Sequence, residues 1–173
     1  LEAFIELLEA EKERQNLVSH SSLASIWSRH IADSAQLVRL APENARTWID
    51  LGAGAGFPGV IVAMLHPARV TLVEQRAKRV DFLRRAAECL GLSEQTAILQ
   101  SRVEPLEPTP FDVISARAFA PLDRLLALGQ RFATPNTRWV LPKGRNAKSE
   151  LEAAKSSWQG ECGLEPSLTD ADA

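Results

Sequence analysis

The stretch Asp50-Leu51-Gly52-Ala53-Gly54-Ala55-Gly56-Phe57-Pro58-Gly59 decides how this chain is read. It follows a β-like run, Thr47-Trp48-Ile49, and leads into an apolar run from Val60 to Leu65. Glycine at this density gives up conformational entropy, so its usual use is a turn with φ > 0 or a ligand lying against bare backbone. A strand, a glycine turn and a helix N-terminus in that order aim backbone N–H groups at a ligand.

Two fingerprints overlap here. Gly54-Ala55-Gly56-Phe57-Pro58-Gly59 satisfies the dinucleotide pattern G-x-G-x-x-G. Asp50-x-Gly52-x-Gly54-x-Gly56 resembles the acidic-x-Gly-x-Gly-x-Gly loop of class I S-adenosylmethionine methyltransferases. Three features favour the second. Asp50 precedes the glycines, placed to accept a hydrogen bond from a ligand's ammonium group. Pro58 suits the first helical position, where a missing N–H costs nothing, which makes Gly59 an early helix residue. Arg69-Val70-Thr71-Leu72-Val73-Glu74 reads as the next strand and ends in an acid placed to hold ribose hydroxyls.

Outward from the loop, strands alternate with helices. Strands are expected at 47–51, 70–74, 97–100, 111–115 and 138–141. Helices are expected at 58–66, stopped by Pro67, and at 77–90, with Gly91 as C-terminal stop. Further helices are expected at 121–132 and 147–158. Two precede the first strand. Residues 1–17 place Phe4, Ile5, Leu8 and Leu17 at helical intervals. A second helix, capped by Ser22 or Ser25, carries Leu23, Ile26, Trp27, Ile31, Leu37 and Val38 inward. The reading is an α/β fold with a mostly parallel sheet and an N-terminal helical extension, residues 1–45, before a core spanning 46–173. The resemblance of the glycine loop to class I methyltransferases implies an antiparallel pair closing the sheet after the fifth strand. Only residues 163–168 are placed to begin it, so the C-terminal strands are expected to be cut short, and the absence of an initiator Met points to a start inside a longer protein.

Composition narrows the function. An apolar fraction of 45% and a charged fraction of 24% are ordinary for a globular chain. No apolar run approaches the roughly 20 residues of a membrane span, and the N-terminus lacks a basic lead. Cys89 and Cys162 have no metal-type spacing and read as reduced cysteines of a cytoplasmic protein; with three scattered histidines, no metal is expected. Charge is uneven: residues 117–148 hold Arg117, Arg124, Arg131, Arg138, Lys143, Arg145 and Lys148 against Asp123 alone. Such a local field attracts a polyanion even on a slightly acidic chain.

Candidate functional residues fall at strand ends. Ser101-Arg102-Val103-Glu104 follows the third strand, with Glu104 placed either toward an adenine edge or as a helix cap. Arg117 follows the fourth, facing the crevice or pairing with a surface acid. Lys143-Gly144-Arg145 follows the fifth, and cations beside a glycine suit phosphate. On the second helix, Arg29, His30 and Ser34 lie together, His30 and Ser34 sharing a face.

Taken together, these blocks resemble the bacterial ribosomal RNA small subunit methyltransferase G family, also called glucose-inhibited division protein B. Asn16-Leu17 with Arg29-His30-x-x-Asp33-Ser34, the glycine loop, Lys78-Arg79-Val80-x-Phe82-Leu83-Arg84, Ser101-Arg102-Val103-Glu104, Arg117-Ala118-Phe119-Ala120 and Lys143-Gly144 carry the resemblance. It implies a class I methyltransferase (Rossmann-like) fold and a cytoplasmic enzyme using S-adenosyl-L-methionine to methylate N7 of one guanine in 16S ribosomal RNA of the small subunit. By that resemblance Gly52, Phe57, Val103, Glu104 and Arg117 match cofactor-binding positions, beside Asp50, Gly54, Gly56 and Glu74 read from the loop itself. Arg117, Lys143, Arg145, Arg29 and His30 are the expected RNA-facing residues, with Arg117 and Lys143 positioning and no acid/base catalyst. The alternative is a methyltransferase acting on a small molecule or protein, against which the basic segment counts. A nicotinamide oxidoreductase would need a hydride-transfer acid/base group, and the chain has no Tyr.

Overall fold

The computed structural model describes residues 1–19, 25–155, 158 and 160–169. Its centre is a five-stranded sheet, all parallel, made of β1 (Thr47–Leu51), β2 (Arg69–Glu74), β3 (Thr96–Gln100), β4 (Val113–Ser115) and β5 (Arg138–Val140), in spatial order β3-β2-β1-β4-β5. The chain builds outward from β1 through β2 to β3, then returns to lay β4 on the other side of β1. That reversal opens a crevice at the C-terminal ends of β1 and β4.

The helices are α1 (Glu2–Glu11), α2 (a continuous helical run over 27–40), α3 (Gly59–Leu65), α4 (Ala77–Cys89), α5 (Leu122–Gly129) and α6 (Ala147–Ala154). Strand alternation divides the apolar residues between two clusters. Trp48, Val70 and Leu72 join Phe4, Leu8, Ile31, Leu37, Ile61 and Phe82 on the side of α1 to α4. Ile49, Leu51, Val73 and Ile114 join Val103, Leu125 and Phe132 on the side of α5. The N-terminal helices therefore share a core with the sheet. Buried Glu11 reinforces this: it accepts from Arg85 of α4 at 2.8 Å and from Gln15 at 2.8 Å.

Several expected boundaries move, each for a local reason. The first helix ends at Glu11 instead of running to residue 17, and a turn follows. The fourth strand starts at Val113, not residue 111, because Asp112 turns aside to accept from the Arg46 and Thr47 N–H groups at 2.7 and 2.9 Å. Helix α6 stops at Ala154. Residues 163–168 form no strand; the backbone N–H of Leu168 donates to Gln36 at 3.0 Å and Thr169 bonds Asp33. Trp27, expected inward, is 51% exposed, because the first part of α2, Trp27–Ala32, is π-wound and its wider turn shifts the buried face. Ser22 and Leu23 lie outside the described residues.

The glycine after Pro58 sets the packing of α3 on the sheet. A Cβ on Gly59 would sit 2.2 Å from Leu72 Cδ2 and 2.7 Å from Asp50 Oδ2. In an exposed helix Gly→Ala stabilises by about 0.5–1 kcal/mol. Here Gly59→Ala is expected to reverse that sign and destabilise by about 1–3 kcal/mol through overpacking, read as a lower urea midpoint with unchanged slope.

Candidate active site

The crevice starts from a buried brace. Asp50, 1% exposed, closes β1. Its Oδ2 accepts the Gly59 N–H at 3.0 Å, and its Oδ1 accepts the Ser115 hydroxyl at 2.8 Å. Ser115 in turn accepts from Trp48 Nε1 at 2.9 Å. One carboxylate thus joins β1, the first turn of α3 and the end of β4. Burial pushes its pKa up to about 6, although the bonds from Ser115 and Gly59 oppose the shift. Protein donors engage both Asp50 oxygens, so the carboxylate braces the loop from inside.

Above the brace the loop is a cradle of bare backbone. Gly52, Gly54 and Gly56 have φ of +74°, +57° and +95°, a region open to glycine. The Gly52 and Ala53 N–H groups both donate to Val73 O at 2.9 Å, which fastens the loop to β2. The Glu74 carboxylate, 5% exposed, accepts from Gly54 N–H at 3.0 Å and from Arg76 N–H at 2.8 Å. Two backbone N–H groups thus tie Glu74 to the cradle, as Asp50 is tied to α3 and β4. The Phe119 ring lies directly on Gly52, where a Cβ would come within 2.5 Å of Phe119 Cδ2. It is carried there by Ala118 at φ +51°.

The second wall comes from α2 and the exit of β4. The His30 ring stacks on Phe57, centroids 5.0 Å apart and planes 22° apart. The Arg117 guanidinium lies 5.1 Å from the Phe57 centroid, a cation–π contact worth about 0.5–2 kcal/mol. Arg117 also reaches His30 Nδ1 at 2.8 Å and the Arg29 carbonyl at 3.3 Å. Burial and then the Arg117 charge lower the His30 pKa to about 4, so the imidazole is neutral at pH 7. His30 Nε2 is buried and has no hydrogen-bond partner among the described residues; an unsatisfied buried group costs about 1–3 kcal/mol. Ser34 donates to the His30 carbonyl at 2.6 Å, holding the helix turn and not the ring.

The remaining candidates scatter. Val103 is buried in the apolar cluster beneath the crevice, while Glu104 is exposed and precedes no helix. Arg131 holds the Glu104 carbonyl at 2.5 Å. Lys143, expected to face RNA, is paired with Glu150 at 2.8 Å. Arg138 opens β5 at the opposite end of the sheet, so the basic segment is not one patch. Arg145 and Arg29 are exposed. Arg76, Lys78 and Arg102, which follow β2 and β3, are also exposed, so cations stand along the crevice end of the sheet from both sides. Charge counting along the chain missed that distribution because the parallel topology creates it. The Ser115–Trp48 relay was missed for the same reason: its atoms meet only through strand register. Cys89 and Cys162 are exposed and unbonded. A surface depression of about 420 Å³ lies by Val38, His66 and Pro67, at the other end of the sheet from this chemistry.

The fold is that of the class I S-adenosylmethionine-dependent methyltransferases. A Thiobacillus denitrificans SAM-dependent methyltransferase in complex with S-adenosyl-L-homocysteine superposes with a TM-score of 0.53 at 16% identity, over 78% of this chain and 52% of that one. An RNA methyltransferase from Salinibacter ruber, in the same kind of complex, gives 0.55 at 20% identity over 64% and 72%. The family model described as GidB, rRNA small subunit methyltransferase G, matches residues 1–170. Relatives named ribosomal RNA small subunit methyltransferase G are 54% identical in Rhizorhabdus wittichii, over 100% of this chain and 81% of theirs, and 49% identical in Zymomonas mobilis, over 98% and 80%. The chain belongs to this family.

The raised Asp50 pKa has a consequence for stability. In the folded state the group binds a proton more tightly than in the unfolded chain, so its contribution favours folding at low pH and is lost as pH rises from about 4 to above 6. Asp50→Asn can accept from Gly59 and donate to Ser115. It is expected to remove this component of the pH dependence without loss of fold, whereas Asp50→Ala lowers stability throughout; unfolding midpoints from pH 4 to 8 distinguish the two.

Proposed function

We propose that this chain transfers a methyl group from S-adenosyl-L-methionine to N7 of a guanine in 16S ribosomal RNA, in the cytoplasm. The observation that carries the reading is the juxtaposition of the glycine cradle with the Phe57–His30–Arg117 cluster in a chain of this family. Three positive-φ glycines give the loop the sharp backbone path on which we place the cofactor. Gly52, Gly54, Gly56, Phe57, Val103, Glu104 and Arg117 are the residues we assign to hold it, with Asp50 and Glu74 fixing the loop. Glu104 is the exposed carboxylate at the exit of β3. When bound, the cofactor supplies an electrophilic methyl group.

Guanine N7 offers a lone pair and carries no proton, so no side chain has to remove one. The chain's work is to orient the base, and orientation alone can supply about 7–11 kcal/mol of a barrier. Phe57 and Phe119 offer apolar faces beside the cradle. Arg29 and Arg145 are the cations assigned to RNA phosphates, and Lys143, tied to Glu150, orders the exit of β5. Among the described residues no helix is long and apolar enough to cross a membrane, and no cluster of His, Cys, Asp and Glu is placed to hold a metal.

The test is transfer of labelled methyl to small subunits lacking the modification, with the labelled base mapped; label at one guanine N7 is the expected result. Arg29→Ala/Arg145→Ala is expected to leave cofactor affinity unchanged. It should flatten the dependence of log K for RNA on log salt by about 0.7–0.9 per phosphate contact removed. Transfer to a small molecule or protein and not to RNA would overturn the reading.

A further inference from the structure

We propose that His30 is a two-sided positioning residue: its Nδ1 holds the Arg117 guanidinium beside the Phe57 ring, and its Nε2–H is the donor for an acceptor oxygen of a bound reactant. The inference rests on the methyl-transfer reading above and assigns to one side chain a role within it.

The argument starts from what each atom can do. A guanidinium has N–H donors and no acceptor. The 2.8 Å contact between Arg117 and His30 Nδ1 therefore makes Nδ1 the acceptor. A neutral imidazole that accepts at Nδ1 carries its proton on Nε2. That N–H is buried and unpartnered among the described residues. Everything else about the ring is fixed: it is stacked on Phe57, its backbone carbonyl takes the Ser34 hydroxyl, and the neighbouring Arg29 carbonyl takes Arg117. The π-wound turn Trp27–Ala32 that carries it is a helix form frequent at functional sites.

A donor on a ring held this firmly against Phe57, with no acceptor among the described residues, matches a partner that arrives with a reactant. Two acceptor oxygens of the reaction fit: the carboxylate of the cofactor's amino-acid end and O6 of guanine, which neighbours N7. A neutral donor suits either. Methylation leaves the guanine ring positively charged, and a hydrogen bond from an uncharged imidazole orients O6 without placing a further full positive charge beside that ring.

The experiment uses the full chain and three readouts: imidazole ¹⁵N spectra, the Kd of S-adenosyl-L-homocysteine, and kcat and KM on unmethylated small subunits. The His30 signal is assigned by its loss in His30→Asn. In the free protein at neutral pH it should show a bare Nδ1 and a protonated Nε2, and adding a reactant should shift the Nε2–H resonance. His30→Asn keeps an acceptor near the Nδ1 position and deletes the Nε2 donor, whereas His30→Gln keeps a donor near Nε2 and deletes the Nδ1 acceptor. Loss of one hydrogen bond predicts about a tenfold effect for His30→Asn, with partial recovery in His30→Gln. A tenfold weaker Kd makes the oxygen the cofactor's; an unchanged Kd with a tenfold lower kcat/KM makes it guanine O6. An Nδ1–H tautomer or an imidazolium at neutral pH overturns the proposal. So does an Nε2–H resonance that no reactant moves, as for an internal water alone. Wild-type behaviour of His30→Asn, or equal losses in both variants that track a fall in thermal midpoint, overturns it too. If the wild type moves no methyl to ribosomal RNA yet S-adenosyl-L-homocysteine still shifts Nε2–H, the functional reading fails and the His30 assignment stands.

Discussion

The crevice depends on one buried carboxylate. Asp50 sits where β1 ends, and its two oxygens hold the first turn of α3 and the end of β4. Gly59 is obligatory for this contact, since any side chain there would collide with Leu72 and with Asp50 itself. Through Ser115 the same network reaches Trp48, which is fully buried in the cluster on the side of α1 to α4. Placing a carboxylate in such an interior is expensive, and the upward shift of its pKa is the visible sign. What it secures is the spacing between the glycine loop and the exit of β4, the two segments that carry the cradle and Arg117.

Charge in this site is used more for construction than for display. Arg117 is half-buried among Phe57, His30 and a backbone carbonyl. Lys143 is locked to Glu150, and Arg131 to the Glu104 carbonyl. Glu74 holds two backbone N–H groups. The exposed cations that remain at the crevice end come from both sides of the switch point, Arg76, Lys78 and Arg102 on one and Arg145 on the other, with Arg29 from α2. A polyanion approaching that end meets a spread of positive charge, while the other end of the sheet carries Arg138.

Much of this was legible before any coordinates. Glycine spacing, the acid near the end of β1 and the apolar runs of β1, β2 and β4 depend on local chemistry, and these three strands fell within two residues of their expected places. The site residues around the loop, Gly52, Gly54, Gly56, Phe57, Arg117 and His30, do come together. The partners of the carboxylates were not legible. Whether Asp50 and Glu74 face a ligand or the protein depends on donors supplied by residues that folding brings alongside, Ser115 from another strand and Arg76 from a helix entry. The exposure of Trp27 was hidden for a different reason: a regular helical period predicts it inward, and the π turn breaks that period.

The packing of α1 has a consequence in time. Phe4 is 0% exposed, its ring 5.4 Å from Phe57 and 6.3 Å from Phe82. A Cβ on Gly56 would meet it at 3.1 Å. The floor of the cradle is thus laid by a residue of α1, and its seat is made by residues that leave the ribosome much later. Contacts of such long sequence separation form late and slow the search for the native state. The opening helix has to wait, with its apolar stripe uncovered, until α4 emerges to receive it. The glycine loop and α1 therefore complete each other's packing, and neither has its native surroundings before the other is in place.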